Sequence, residues 1–222
     1  TRGGPVMIDR DAVIHSFSRL EGPCYVGAES WIVGGKLRAD STIGPCSRVG
    51  GEIEASVVQG YSNKYHEGFL GHSYLGEWVN LAAATQTSDL RNDYGEVKMT
   101  VHGQRVATGR IKVGSYIGDH TKTGLGALLN TGSTIGAFAN VLPSGSLGPQ
   151  VVPSFCQVVH GQLQESWDLR KVLATASKAM QRRGKQLTNV HRDLYYDLFE
   201  RTSDLRRKEL RENEVRRLRR SV

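Results

Sequence analysis

Asn63, Lys64 and His66 lie together in the stretch GYSNKYHEG, which sets an amide, an ammonium and an imidazole within four positions of one another. An unperturbed imidazole titrates near neutrality, so His66 can serve as a general base. Lys64 and Asn63 beside it could hold a phosphate or sugar hydroxyls. Arg48, in TIGPCSRVG, and Lys122, in GDHTKTG, are further cations able to meet phosphates, although a lone arginine on a surface is equally a solvated charge. Cys24, Cys46 and Cys156 are an odd set with no CxxC pair, which argues against a disulfide scaffold and fits a reducing compartment.

The element that must position these residues shows in the spacing of aliphatic side chains. Ile8, Ile14, Leu20, Val26 and Ile32 recur every six positions, and after a one-residue slip the beat resumes at Leu37, Ile43 and Val49. A second run reads Phe69, Leu75, Leu81, and a third reads Ile111, Ile117, Thr123, Leu129, Ile135, Val141, Leu147. Small residues such as Ser30, Ser47, Ser73, Ser115 and Thr121 often fall four places after the beat. A helix needs spacings of three and four, and hairpin sheets alternate over irregular lengths. A hexapeptide beat instead predicts a parallel β-helix, in which each hexad is one strand and a corner and three hexads make a triangular coil. The clear hexads give about six coils, roughly 30 Å of prism at about 4.8 Å per strand.

That geometry bears on metal chemistry. His66, His72 and His120 could be nominated as zinc ligands across a subunit interface, but residues six apart occupy successive sides of one coil and point about 120° apart, so convergence on one tetrahedral ion is awkward. No metal is expected. Two stretches break the beat: residues 50–68 lose strict register, and residues 86–110 contain no hexads. Interruptions of a solenoid become loops, which commonly carry function.

The expected organisation is therefore a β-helical domain over 1–162, with a loop insertion at 86–110, followed by a basic helical extension over 163–222. Of 29 Lys and Arg and 22 Asp and Glu in the chain, the first part holds 13 of each and the second holds 16 and 9, so the whole net charge of +7 lies in the extension. Leu169, Val172, Leu173, Ala176 and Met180 follow helical spacing, with Ser166 as N-cap and Asp168 in the first turn. This first helix is expected to cap the open end of the prism. The final segment reads as a solvated helix, and without stacking aromatics among its arginines nucleic acid is not the expected partner. No apolar run approaches the roughly 18 residues of a membrane span and no signal peptide opens the chain, so the expected location is the cytoplasm.

The segment Tyr61–Thr85, YSNKYHEGFLGHSYLGEWVNLAAAT, resembles the acetyltransferase part of the bifunctional UDP-N-acetylglucosamine pyrophosphorylase/glucosamine-1-phosphate N-acetyltransferases. Together with Ser88–Tyr94 and Gly118–Gly124 it resembles still more closely the related sugar nucleotidyltransferase-like proteins. The resemblance implies a left-handed β-helix, a homotrimer, and acetyl-CoA as cosubstrate in a groove between neighbouring prisms. It nominates His66 as the base, Arg48, Asn63, Lys64 and Asn80 as binding a sugar phosphate or nucleotide sugar, and Asn92, Tyr94, Lys98, Lys122 and Thr123 as meeting the cofactor. Phe69 stands where the acetyltransferases have a substrate-contacting tyrosine, and Ala82 and Ala84 replace glycines, which puts glucosamine 1-phosphate as acceptor in doubt. No nucleotidyltransferase motif precedes the first hexad, so pyrophosphorylase chemistry is not expected of this chain. The alternative to an acyltransferase is a non-catalytic trimerisation and regulatory β-helix for a nucleotidyltransferase domain.

Overall fold

The computed structural model describes residues 3–165 and 168–220, with side chains described as far as residue 215. The hexads form a three-sided parallel β-helix. Its first face is an eight-stranded sheet running from Val6–Ile8 through Cys24–Val26, Ser41–Ile43, Val57–Val58, Tyr74–Leu75, Tyr116–Ile117 and Thr134–Ile135 to Val151–Val152, every pair parallel. Eight rungs rather than six coils make a prism of about 34 Å. Further strands outside the expected hexads come from Gln86–Thr87, Val151–Val152 and Cys156–Val159. One additional coil comes from residues 50–68, which stay in the solenoid. Val58, Lys64 and Leu70 keep the six-residue beat there, and all three point inward.

Ile32, Ile43, Val49, Leu75, Leu81, Ile117, Leu129, Ile135 and Val141 form one continuous core as the beat predicts. Four expected beat residues do not, the first being Ile8, which is exposed in the first coil. Leu70, not Phe69, fills the prism, because the corner between Leu70 and Leu75 is one residue shorter. Ile111 and Leu147 are exposed, since each lies in a segment leaving the coil. The small corner residues do more than save space: Ser30, Ser47 and Ser62 donate to the carbonyls of Gly44, Gln59 and Gly76 in the next coil.

The corner between the first and second faces is lined by non-glycine residues with φ near +60°: Glu29, Cys46, Tyr61, Trp78, His120, Phe138 and Phe155, one per coil. The last five stack as an aromatic column, with centroid separations of 4.3 Å for Tyr61–Trp78, 6.1 Å for Trp78–His120, 4.7 Å for His120–Phe138 and 4.9 Å for Phe138–Phe155. Bulky residues in this backbone region are strained, and the stacking and burial of their rings offset that cost.

The helical extension docks on this column. Helix α1 (Leu169–Gln181) is capped by Asp168, whose side chain accepts from Arg170 N, so Asp168 is the N-cap rather than a first-turn residue; Ser166 lies outside the described residues. Leu173 and Ala176 of α1 and Tyr195 of α2 (Asn189–Arg201) share a cluster with Phe138 and Phe155. Tyr195 meets Phe138 edge-on at 4.8 Å, and Phe199 meets Phe155 at 5.1 Å. The first helix therefore lies along the corner and does not close the prism. Closure falls to Gln162–Glu165, which pairs antiparallel with Cys156–Val159, and to α3 (Ser203–Arg220), whose Leu210 packs on the core and whose Asn213 accepts from Leu163 N.

Residues 86–90 also belong to the coil: Gln86–Thr87 pairs with Leu128–Leu129, and Thr87 is buried. The insertion proper leaves after Leu90 and returns at Lys112, where the two bridge. It is a hairpin of Lys98–Val101 against Gln104–Ala107, anchored by Val97, Met99 and Val113 and by Thr134 donating to Thr100 O.

Candidate functional site

Register alone assembles the candidate residues of the second face. Trp31, Arg48, Asn63, Asn80, Lys122, Asn140 and Gln157 are successive partners, one per coil. Each lies between an inward corner residue and an inward beat residue, so alternation turns it outward. Three of the four expected substrate ligands, Arg48, Asn63 and Asn80, thus stand on consecutive rungs, with Lys122 next.

Arg48 is held in place. Its guanidinium carbon lies 4.0 Å from the centroid of the Trp31 ring, and Nη1 donates to Glu29 O at 2.8 Å and Ser47 O at 3.1 Å. Burial pushes its pKa down, and the charge of Arg183 pushes the same way. Arg183, in the turn between α1 and α2, donates from Nη2 to Asn63 Oδ1 at 2.8 Å. Nothing in the sequence pointed to Arg183, because the separation is 120 residues and depends on how the helices dock.

His66 lies at the next corner, between the second and third faces, exposed and edge-on to Tyr65 with ring centroids 5.1 Å apart. Lys64 does not stand beside it as a phosphate ligand. It occupies a beat position opposite Val49, only 2% exposed, and its ammonium donates inside the prism to Gly50 O at 3.0 Å and His66 O at 2.6 Å. Desolvation pushes its pKa down from 10.5 to about 8, against the opposing charge of Glu67. Gly51, at φ +69°, leaves the space this ammonium fills, since a Cβ there would collide with Nζ. The chain thus spends a buried charge on tethering the loop that carries His66.

Thr123 is likewise turned inward. Its hydroxyl accepts from Ala82 N at 2.9 Å and shares a 2.7 Å hydrogen bond with Thr85, so a cofactor cannot reach it. Lys122 is outward and donates to His120 O at 3.0 Å, with its pKa lowered by burial. Ala84, where the resembling family has glycine, holds φ +59° at the corner above His66.

Asn92 and Lys98 lie elsewhere, at the corner between the third and first faces. There they line a cleft of about 420 Å³ with Arg91, Arg105, Asn130, Thr131 and Gln150, between the hairpin and the later coils. Tyr94 is exposed at the tip of the preceding loop. In one chain, then, Asn92, Tyr94 and Lys98 stand at a different corner from the acceptor-side residues, whereas Lys122, also expected to meet the cofactor, stands on the acceptor face.

The three histidines stand at three different corners. His120 is buried in the aromatic column, with Nε2 3.0 Å from Tyr195 OH, and desolvation lowers its pKa to about 3. His72 pairs through Nδ1 with Asp89 Oδ2 at 2.7 Å, at the third–first corner. The sequence reading missed this pair, although a separation of 17 residues is one coil and brings both to one corner. Among the described residues no group of three or more His, Cys, Asp or Glu is placed to hold a metal ion, and no helix is long and apolar enough to cross a membrane.

A stretch of 100 residues, 45% of the chain, is 37% identical to a bifunctional sugar-1-phosphate nucleotidylyltransferase/acetyltransferase of Sulfurisphaera tokodaii. The relatives are GlmU-like bifunctional sugar-1-phosphate nucleotidylyltransferase/acetyltransferases. Bifunctional protein GlmU of Methanocaldococcus jannaschii is 33% identical over 86 residues, 39% of the chain. The matching stretches cover 25% and 21% of those two proteins, so the chain corresponds to only part of each. A Bacillus cereus protein assigned as an acetyltransferase shares the fold, with a TM-score of 0.51 at 13% identity over 82% of this chain and 89% of that one. No family model matches.

Proposed function

We propose that the chain is an acetyl-CoA-dependent acyltransferase for a phosphorylated or nucleotide-linked sugar and that it works as a homotrimer. The observation that carries this reading is the outward column Arg48–Asn63–Asn80–Lys122, with His66 on the adjoining corner. A guanidinium suits a phosphate, and two amides on neighbouring rungs suit sugar hydroxyls. His66 takes the proton from the acceptor amine or hydroxyl as it attacks the thioester carbonyl. The tetrahedral adduct then collapses with cleavage of the carbon–sulfur bond, and the imidazolium returns the proton to the departing thiolate.

The cofactor belongs to the cleft beside the hairpin, where Lys98 and Arg105 can meet its phosphates and Asn92 its polar groups. Because that cleft and His66 lie at different corners of one prism, the reading calls for a neighbouring subunit to bring its cleft against the His66 corner. Calorimetry with acetyl-CoA, light scattering, and thiol release with a panel of amino-sugar and sugar phosphates test it. Acetyl-CoA binding by a trimer with turnover of one acceptor is the expected result. A stable monomer refutes the shared site, and an intact trimer without CoA binding leaves the oligomerisation module as the function.

A further inference from the structure

The helical extension carries the chain's excess positive charge, and part of it lies directly over the second face. The turn between α1 and α2 holds Arg182, Arg183 and Lys185. Arg183 reaches Asn63, on the rung next to Arg48, and Lys185 Nζ sits 5.7 Å from the centroid of the Tyr61 ring at the adjoining corner. Arg48 and Arg183 are each partly desolvated. The charge of Arg183 lowers the pKa of Arg48, and that of Arg182 lowers the pKa of Arg183.

These guanidinium groups are not consumed by the protein's own carboxylates. Among the described residues no Asp or Glu lies within ion-pair distance of Arg48, Arg183 or Lys185. Their hydrogen bonds end on neutral oxygens, namely Glu29 O, Ser47 O and Asn63 Oδ1. The one carboxylate acting on Arg48 at longer range is Glu29, which accepts from the Cys46 thiol at 3.8 Å. Arg48, Arg183 and Lys185 all lie within electrostatic reach of the Cys46 thiol, and three cations so gathered, two of them with unused N–H donors, form an arrangement completed by a dianion.

We propose that Arg48 of the prism and Arg183 of the extension together bind a phosphoryl group, with Lys185 at the rim, and that the occupant is the phosphate of the acceptor sugar. Asn63 and Asn80 continue from Arg48 along the same column, about 10 Å over two rungs, which is the reach of a phosphorylated hexose laid along the face. The phosphates of CoA are the other source of the same chemistry, but Lys98 and Arg105 already provide for them at a different corner. On this inference the extension is part of the acceptor site. It rests on the proposed acyl transfer only for the identity of the sugar.

The test is titration calorimetry on the full chain and on Arg183→Gln, with inorganic phosphate, glucosamine 1-phosphate, glucosamine and CoA as ligands. Arg170→Gln, which removes an exposed tail arginine paired with Asp168, is the charge control. Loss of one charge-assisted contact predicts affinity for the two phosphate ligands about 10- to 100-fold weaker in Arg183→Gln. CoA binding, the melting temperature and the Arg170→Gln variant should stay unchanged. Equal weakening in the control, selective loss of CoA binding, or a wild-type chain that binds neither phosphate ligand at millimolar concentration overturns the inference. Phosphate binding that depends on Arg183 in a chain without acetyl transfer sustains the site and refutes the acyltransferase reading instead.

Discussion

Replacing Lys64 with methionine should make the protein more stable at neutral pH and less active. The unfolded chain holds the lysine proton up to about pH 10.5, whereas the folded chain releases it near pH 8. Below pH 8 the buried ammonium exerts its full destabilising effect; between pH 8 and 10.5 the unfolded state binds the extra proton, so stability rises with pH across that window. At 1.36 kcal/mol per pH unit the interval is worth about 3 kcal/mol. Methionine removes that cost but also the N–H donors to Gly50 O and His66 O, which offsets about 1 kcal/mol for each bond. The net gain at pH 7 is then about 1 kcal/mol, or about 2–4 °C in melting temperature for a chain of this size. Thermal melts of both proteins at pH 7 and pH 10, at one protomer concentration, provide the assay. Between the two conditions the wild type should gain about 6–10 °C on the variant, reversing their order. Parallel melting curves would show that the ammonium reaches solvent and would refute its role as the buried tether of the His66 loop.

His66→Ala should lower turnover by about 10²–10⁴, the usual worth of positioned proton transfer, with acetyl-CoA affinity held, while His72→Ala, paired with Asp89 at another corner, should have a much smaller effect; steady-state kinetics decides. Joining Leu90 to Lys112 through a short glycine link removes the hairpin while keeping the bridged ends, so circular dichroism should still report the β-helix as calorimetry reports lost CoA binding. Phe138→Ala takes one ring from the middle of the aromatic column and should cost about 3–5 kcal/mol, with faster amide exchange in α1 and α2 than in the prism core.

The solenoid was readable because its inward positions are mostly aliphatic, and a strict period survives single slips. It failed where polar residues take those positions. Lys64 keeps the beat in space but hides it in composition, so residues 50–68 read as a loop when they are coil, and Thr123, read as a beat residue but nominated by the resemblance as a cofactor contact, is core alone. The beat also fixes spacing without fixing phase after an interruption, which is why Phe69 reads as inside in place of Leu70, and it does not show where the chain leaves the coil, which is why Ile111 reads as inside. Arg48, Asn63 and Asn80 are nominated by residue type or resemblance alone, and their standing on one line of successive rungs emerges only in the structure, because Asn63 falls in the stretch that reads as a loop. Arg183 and the partnership of His72 with Asp89 depend on helix docking and on coil-to-coil contacts, and only the latter could have been counted from sequence.

A solenoid of like coils can in principle gain or lose a repeat, because each coil meets only its neighbours. The aromatic corner withdraws that freedom. Tyr195 and Phe199 address particular coils, those of Phe138 and Phe155, while Arg183, farther back along the same extension, addresses the coil of Asn63. A repeat duplicated or deleted between Asn63 and Phe138 would leave the helices unable to meet both ends at once. The extension therefore acts as a ruler laid along the prism, fixing the repeat number between those rungs by the length of two helices.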